Sequence, residues 1–126
     1  MENRPMIERY RDGRKYYEET ITSDKVVGLR TLWHANGQKL AEVTYKDARL
    51  DGFTWWYENG QKEIEGTYKD GEFDGLWTSW YEDGQKKKES NYKNGQLDGV
   101  QTYWYRTGEK FREIKYKDGL ATIVSQ

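Results

Sequence analysis

The 126-residue chain has no cysteine, one proline and one histidine. Without cysteine there is no disulfide framework, no thiolate metal site and no thiol nucleophile. A lone His34 excludes multi-histidine metal sites and gives a histidine-based triad little support. Aliphatic residues are scarce as well: Leu, Ile, Val and Phe together number 20 of 126. That is under the roughly one-fifth at which disorder competes with folding when net charge is also large. The charge is small, because 21 basic and 22 acidic side chains leave a formal net charge of -1. Such a balance lacks the basic excess of a dedicated nucleic-acid binder, so no nucleic-acid partner is expected. No run of ~18 apolar residues is present to span a membrane. The opening MENRPMIERYRDG has no apolar stretch of the kind a secretory signal needs. The expected location is cytoplasmic.

What the chain does have is rings and glycine: 6 Trp, 11 Tyr, 3 Phe and 13 Gly. Large amphipathic rings in a charged, glycine-rich chain suit thin β-structure, where they cover area that aliphatic residues would fill in a thick core. The glycines are in phase. Turn dipeptides fall at Asp12-Gly13, Asn36-Gly37, Asn59-Gly60, Asp83-Gly84 and Thr107-Gly108, spaced by 24, 23, 24 and 24 residues. Nine positions after each of the last four comes a Tyr-Lys pair ending at Lys46, Lys69, Lys93 and Lys117. A second turn follows at Asp70-Gly71, Asn94-Gly95 and Asp118-Gly119, with Asp47-Ala48 in the equivalent place. Twelve of the thirteen glycines sit in these columns, Gly66 being the exception. The expected fold is therefore all-β, an elongated single-sheet antiparallel meander of about five 23-24-residue β-hairpin repeats. One repeat domain covers residues 1-126, with residues 1-9 as an N-terminal cap and 120-126 as a closing strand.

Two-residue type I′ turns at both sets of dipeptides set the expected pairing. Around Asp83-Gly84, Tyr81 faces Lys86, Trp77 faces Ser90 and Gly75 faces Tyr92. Around Asp70-Gly71, Tyr68 faces Phe73, Gly66 faces Gly75 and Ile64 faces Trp77. One face then repeats almost unchanged: Leu29, Phe53, Leu76 and Val100; Thr31, Thr54, Thr78 and Thr102; Trp33, Trp56, Trp80 and Trp104; and a glutamate column from Glu18 to Glu113. The opposite face varies, with Arg30, Trp77 and Gln101 in one column and Leu32, Trp55, Ser79 and Tyr103 in another. Invariance is what stacking requires, whereas variation suits a binding surface. A residue is missing between Gly52 and Trp56, which places an irregularity at the adjacent indoles Trp55-Trp56.

The phrase from Gly75 to Lys86, G-x-W-x-x-W-Y-E-D-G-Q-K, and Y-K-N-G-x-x-D-G from Tyr92 to Gly99 resemble the MORN-repeat variant, the repeat of YwqK-like bacterial antitoxin or immunity proteins. The resemblance covers about residues 10 to 120. It implies a binding protein that neutralises one cognate toxin, encoded nearby, in a 1:1 complex. MORN repeats elsewhere serve as scaffolds or lipid-associated modules, which is the alternative. A carbohydrate- or peptide-binding module using the aromatic face is a third possibility.

No nucleophile, base and orienting group occur together, so no catalytic residue, metal or cofactor is expected. The Trp column reads as repeat-to-repeat packing, and His34 as a surface substitution in a tyrosine column (Tyr57, Tyr81, Tyr105). Lysines 15, 39, 62, 86 and 110 and the glutamates read as cross-strand charge pairs. Asp51, Asp74 and Asp98 are lone turn carboxylates, unlike the several oxygen ligands of a calcium loop. Interface energy concentrates in Trp, Tyr and Arg. The expected partner-binding set on the variable face is therefore Arg30, Trp55, Trp77, Tyr81, Tyr103, Tyr105 and Arg112. Trp77 is expected to stand free because Ile64 and Ser90 are too small to cover it; the alternative is that this face is the folded core of a curved sheet, with the Thr-Trp-Glu face outward. Inhibition is by occlusion, with the protein otherwise a monomer and membrane contact disfavoured.

Overall fold

A computed structural model describes residues 4–22 and 25–125. Residues 1-3 of the expected cap and residue 126 of the closing strand lie outside them. Among the described residues, thirteen strands form one antiparallel sheet with no helix. They are β1 (Arg4–Arg9), β2 (Lys15–Thr22), β3 (Lys25–Trp33), β4 (Lys39–Lys46), β5 (Arg49–Trp56), β6 (Lys62–Lys69), β7 (Glu72–Phe73), β8 (Gly75–Trp80), β9 (Lys86–Lys93), β10 (Gln96–Leu97), β11 (Gly99–Trp104), β12 (Lys110–Lys117) and β13 (Leu120–Ser125). Spatial order follows chain order, with β7 and β10 as short pieces pairing only with β6 and β9. The sheet grows by one hairpin at a time and never crosses over.

The two sets of turns differ in kind, which corrects the expected pairing. At Asp70-Gly71, Asn94-Gly95 and Asp118-Gly119 both central residues have positive φ, as a two-residue type I′ hairpin requires. Asp47-Ala48 does the same, with Ala48 at φ 64. At the other turns only the glycine is left-handed. There Gly84 N–H donates to Tyr81 O at 3.0 Å and Tyr81 N–H to Gln85 O at 2.8 Å. That is a type I turn closed by a glycine bulge, the three-residue hairpin. Trp80, not Tyr81, therefore pairs with Lys86, while Gly75–Tyr92 and Trp77–Ser90 pair as expected. Equivalent shifts at Leu32/Trp33, Trp55/Trp56 and Tyr103/Trp104 make the irregularity at Trp55-Trp56 a property of the hairpins and not of one unit.

A second bulge occupies the far edge. Tyr68 faces Phe73 as expected, but Ile64 faces Ser79 instead of Trp77. The expected Gly66–Gly75 pair is likewise displaced. Asp74 and Gly75 are looped out, with Asp74 N–H donating to Thr67 O at 3.1 Å and Gly75 at φ +87. The unit lacking a residue shows its deletion here. At this edge its register slips by one residue and not two, between Tyr45–Leu50 and Thr44–Gly52. Gly52 thereby takes the place of Leu76, and Phe53, opposite Gly66, moves to the face of Trp77. The expected column Leu29, Phe53, Leu76, Val100 is corrected to Leu29, Gly52, Leu76, Val100.

A single layer has little interior, and Ala41 is the one buried hydrophobic residue among those described. Order comes instead from bonds between repeats. The hydroxyls of Tyr57 and Tyr81 donate to the carbonyls of Trp80 and Trp104 at 2.7 Å, and Tyr10 reaches Trp33 O at 3.5 Å. His34 Nε2 makes the same bond to Trp56 O at 3.0 Å. It is a replacement staple and not a free surface substitution. Beside it Asn36 and Asn59 donate to Glu58 O and Glu82 O at 2.8 Å. At the opposite edge Gly95 N–H donates to Phe73 O at 2.9 Å and Gly119 N–H to Leu97 O at 3.1 Å. Each unit thus leans on the next at both ends of its strands.

His34→Ala should leave the half-buried Trp56 carbonyl unpartnered and lower unfolding free energy by about 1 kcal/mol, whereas His34→Tyr should match or exceed the parent. Urea unfolding of both variants checks this.

Candidate functional site

The repeating face is occupied with itself. Thr31, Thr54, Thr78 and Thr102 pair across strands with glutamates of the flanking columns. The lysines bond glutamates on their own strand, three residues on: Lys39–Glu42 at 3.0 Å, Lys62–Glu65 at 2.9 Å and Lys86–Glu89 at 2.7 Å. This corrects the expected cross-strand pairing. Three residues apart would mean opposite faces in a regular strand, and the bulge at each hairpin brings the two together. The same ammoniums sit 5.7 to 5.9 Å from the indole centres of the following unit, Lys39 over Trp56, Lys62 over Trp80 and Lys86 over Trp104. Each Trp of this column is half-buried under a lysine, as repeat-to-repeat packing requires.

A depression of about 440 Å³ opens on this face where Gly52 lacks the side chain of Leu76. Four of its polar side chains are already engaged. Thr44 Oγ1 donates to Gly52 O at 3.3 Å, Thr67 Oγ1 to Asp74 O, and Glu42 and Glu65 hold their lysines.

The variable face is different. Trp77 lies flat over Gly66, where an added Cβ would meet the indole at 2.5 Å. Its ring centre is 3.9 Å from Phe73, 4.9 Å from Phe53, and 5.6 Å from both Tyr68 and Tyr92. Its Nε1–H donates to Thr67 O at 3.1 Å. Trp77 is the centre of an aromatic cluster and does not stand free, because the slipped register brings Gly66 and Phe53 to it in place of Ile64, while Ser90 stays its partner as expected. The signal for this was Gly66, the one glycine outside the repeat columns, which is the seat for the indole. Phe53, Phe73 and the tyrosine pair were the residues that pattern reasoning missed.

Arg30 is engaged as well. Its Nε donates to Glu19 at 3.0 Å, and its guanidinium lies 5.9 and 5.7 Å from the rings of Tyr17 and Tyr45. Glu19, 7% exposed, also accepts from the Tyr17 hydroxyl. Tyr81 is half-buried and tied to Trp104 O. Tyr105, last in that column, is 53% exposed and stacks on Phe111 at 4.6 Å. Tyr103 stands between Lys88 and Arg112 on the neighbouring strands. Trp55, between Ala41 and Ile64, is 39% exposed. A shallow depression of about 230 Å³ beside it is lined by Ile64, Trp77, Ser79, Lys88 and Ser90. The structure thus leaves Trp55, Tyr105 and Arg112 exposed, half-buries Tyr103 beside Phe111, and commits Arg30, Trp77 and Tyr81 to internal contacts.

Burial, then the bond to Glu19, pushes the Tyr17 hydroxyl from 10.0 up to about 12. Burial raises Tyr57, Tyr68 and Tyr92 in the same direction. Because the folded value of Tyr17 lies above the unfolded one, its contribution to stability is full below pH 10 and is lost as pH rises towards about 12, and the other three lose theirs in the same direction. Thermal melts across that window should fall steeply, and Tyr17→Phe should flatten the fall. Trp77→Ala should cost about 2–3 kcal/mol by emptying the cluster, while Trp55→Ala should stay within about 0.5 kcal/mol of the parent. Paired denaturation curves distinguish the two positions.

Four stretches of the chain, residues 26–47, 53–70, 73–94 and 97–118, match the family model described as MORN repeat variant. The hairpin around Gly13 lies outside the match but carries the same turn and tyrosine bond. No curated protein matches the chain significantly.

Proposed function

The chain belongs to the MORN repeat variant family, and on that premise we propose that it is a non-catalytic binding protein whose variable face covers a protein partner. The finer form of the proposal is an antitoxin or immunity protein of the cytoplasm that blocks one cognate bacterial toxin, 1:1, by lying across its active site or substrate channel. The observation that supports it is the inequality of the two faces. One face spends its lysines, glutamates and indoles on neighbouring repeats. The other changes from repeat to repeat and leaves Trp55 39% exposed. An open sheet supplies a standard interface of ~800 Å² per partner without a deep pocket.

A row of exposed apolar residues on the repeating face, Leu29 at 39%, Leu76 at 47% and Val100 at 39%, favours the second reading, a scaffold in contact with lipid or protein. Co-sedimentation with vesicles tests it, and loss of that binding in Leu76→Ser would support it.

For the first reading, the chain is co-expressed with the toxin encoded beside it. Trp55→Ala should weaken the complex by ~2 kcal/mol or more, and abolish protection, with an unchanged melting temperature. Full protection by that variant together with Tyr103→Ala would contradict the proposal.

A further inference from the structure

Four cations crowd one end of the variable face. Lys88 is a cross-strand neighbour of Tyr103, with its Nζ 5.5 Å from the ring centre, and Arg112 is the neighbour on the other side. Lys87 Nζ and Arg106 Cζ lie 5.7 and 4.7 Å from the Tyr81 ring. Tyr81 therefore carries two positive groups on its ring, and Tyr103 carries one, with Arg112 opposite it on the next strand. Among the described residues none of the four makes an ion pair, whereas the lysine column of the repeating face holds glutamates, and Arg30 at the other end of this face holds Glu19. Glu63 and Glu82 bear on Tyr57, one repeat earlier, and Arg106 bears on it too, so acidic groups lie in the neighbourhood of Arg106.

Contact with a ring face is a weak substitute for a carboxylate, on the order of 0.5–1 kcal/mol at exposed sites. Lys88 and Arg112 flank Tyr103 from the strands on either side, and like charges this close repel. The arrangement becomes favourable when an anion docks on it. We propose that the Lys87, Lys88, Arg106 and Arg112 end of the face receives a carboxylate-rich segment of the partner protein. This rests on the protein-binding reading above. Arg112 offers a planar fork that fits a carboxylate, and Lys88 adds a point charge at the rim of the 230 Å³ depression. That depression has the scale of a single side chain, which fits a polypeptide with acidic residues on either side of an apolar one. A chain of net charge -1 also lacks the long-range attraction that draws a protein to a polyanion. The toxin surface that this end covers is therefore acidic, and a cationic cleft built to hold phosphates would be repelled by it.

The probe is a short synthetic peptide of alternating glutamate and serine with one central phenylalanine, titrated calorimetrically into the full chain. Its glutamine counterpart, phosphatidylserine vesicles and a single-stranded oligonucleotide are run beside it. The glutamate peptide should bind, lose about tenfold in affinity between low and physiological ionic strength, and outbind the glutamine peptide at least as strongly. Lys88→Glu with Arg112→Glu should remove binding while the melting temperature holds, and Lys88→Gln with Arg112→Gln serves if the reversed pair destabilises the fold. Equal binding of both peptides, no binding of either, undiminished binding by the charge variants, or binding of vesicles or oligonucleotide without the peptide would overturn the proposal. No toxin is present in this assay, so its outcome is independent of whether Trp55→Ala still protects.

Discussion

A sheet one layer thick offers each strand two wet faces, and among the described residues only Ala41 is a buried hydrophobic side chain. Such a sheet persists only if each hairpin is fastened to the next by something other than a dry core. Here the fastening is a ring donor reaching a carbonyl one repeat on. Tyr10, His34, Tyr57 and Tyr81 supply it, and Trp33, Trp56, Trp80 and Trp104 accept. The tryptophans that offer those carbonyls also lie under the lysines of the preceding unit, so the backbone bond and the side-chain cover are provided by the same residue. The periodicity of the sequence is a consequence of this geometry, because a donor placed one residue off would miss its acceptor.

Once the repeating face is given over to holding units together, the other face is free to differ. At the N-terminal end it neutralises itself through Glu19 and Arg30. In the middle, Trp77 seals Gly66 with Phe53, Tyr68, Phe73 and Tyr92 around it, giving the sheet a place that resembles a core. Beyond it the face turns basic at Lys88 and Arg112. The exposed Trp55 lies next to Ile64, on the flank of the aromatic cluster. An anchor on a rigid base is well placed for binding, since little side-chain or backbone freedom remains to be lost when a partner arrives.

How much of this the sequence carried depends on parity. Glycine columns disclosed the turns, and the turns disclosed an all-β meander. The looped-out Asp74-Gly75 shifts Ile64 from Trp77 to Ser79, a slip of two residues. A slip of two keeps every side chain on its face, so the faces were legible while the partners were not. Where one residue is missing, the slip is one, and Phe53 changes face. The missing residue between Gly52 and Trp56 was legible, but not the strand edge that absorbs it, because Asp47-Ala48 and Asp70-Gly71 form the same kind of two-residue turn before a one-residue and a two-residue slip. The commitment of Trp77 was hidden for the same reason, and Gly66 was the only residue that pointed to it. The role of His34 was hidden because an imidazole and a phenol differ in composition yet reach a carbonyl equally well.

On the function proposed above, the repeating face builds the sheet and the variable face meets the partner. The six indole N–H groups report on both faces at once, four from the packing column and two from the variable face. Indole resonances recorded while the unlabelled toxin is titrated in test the division most directly. The account predicts that Trp55 shifts or broadens most, that Trp77 follows weakly, and that Trp33, Trp56, Trp80 and Trp104 stay in place. Shifts concentrated in those four, with Trp55 unmoved, would contradict it.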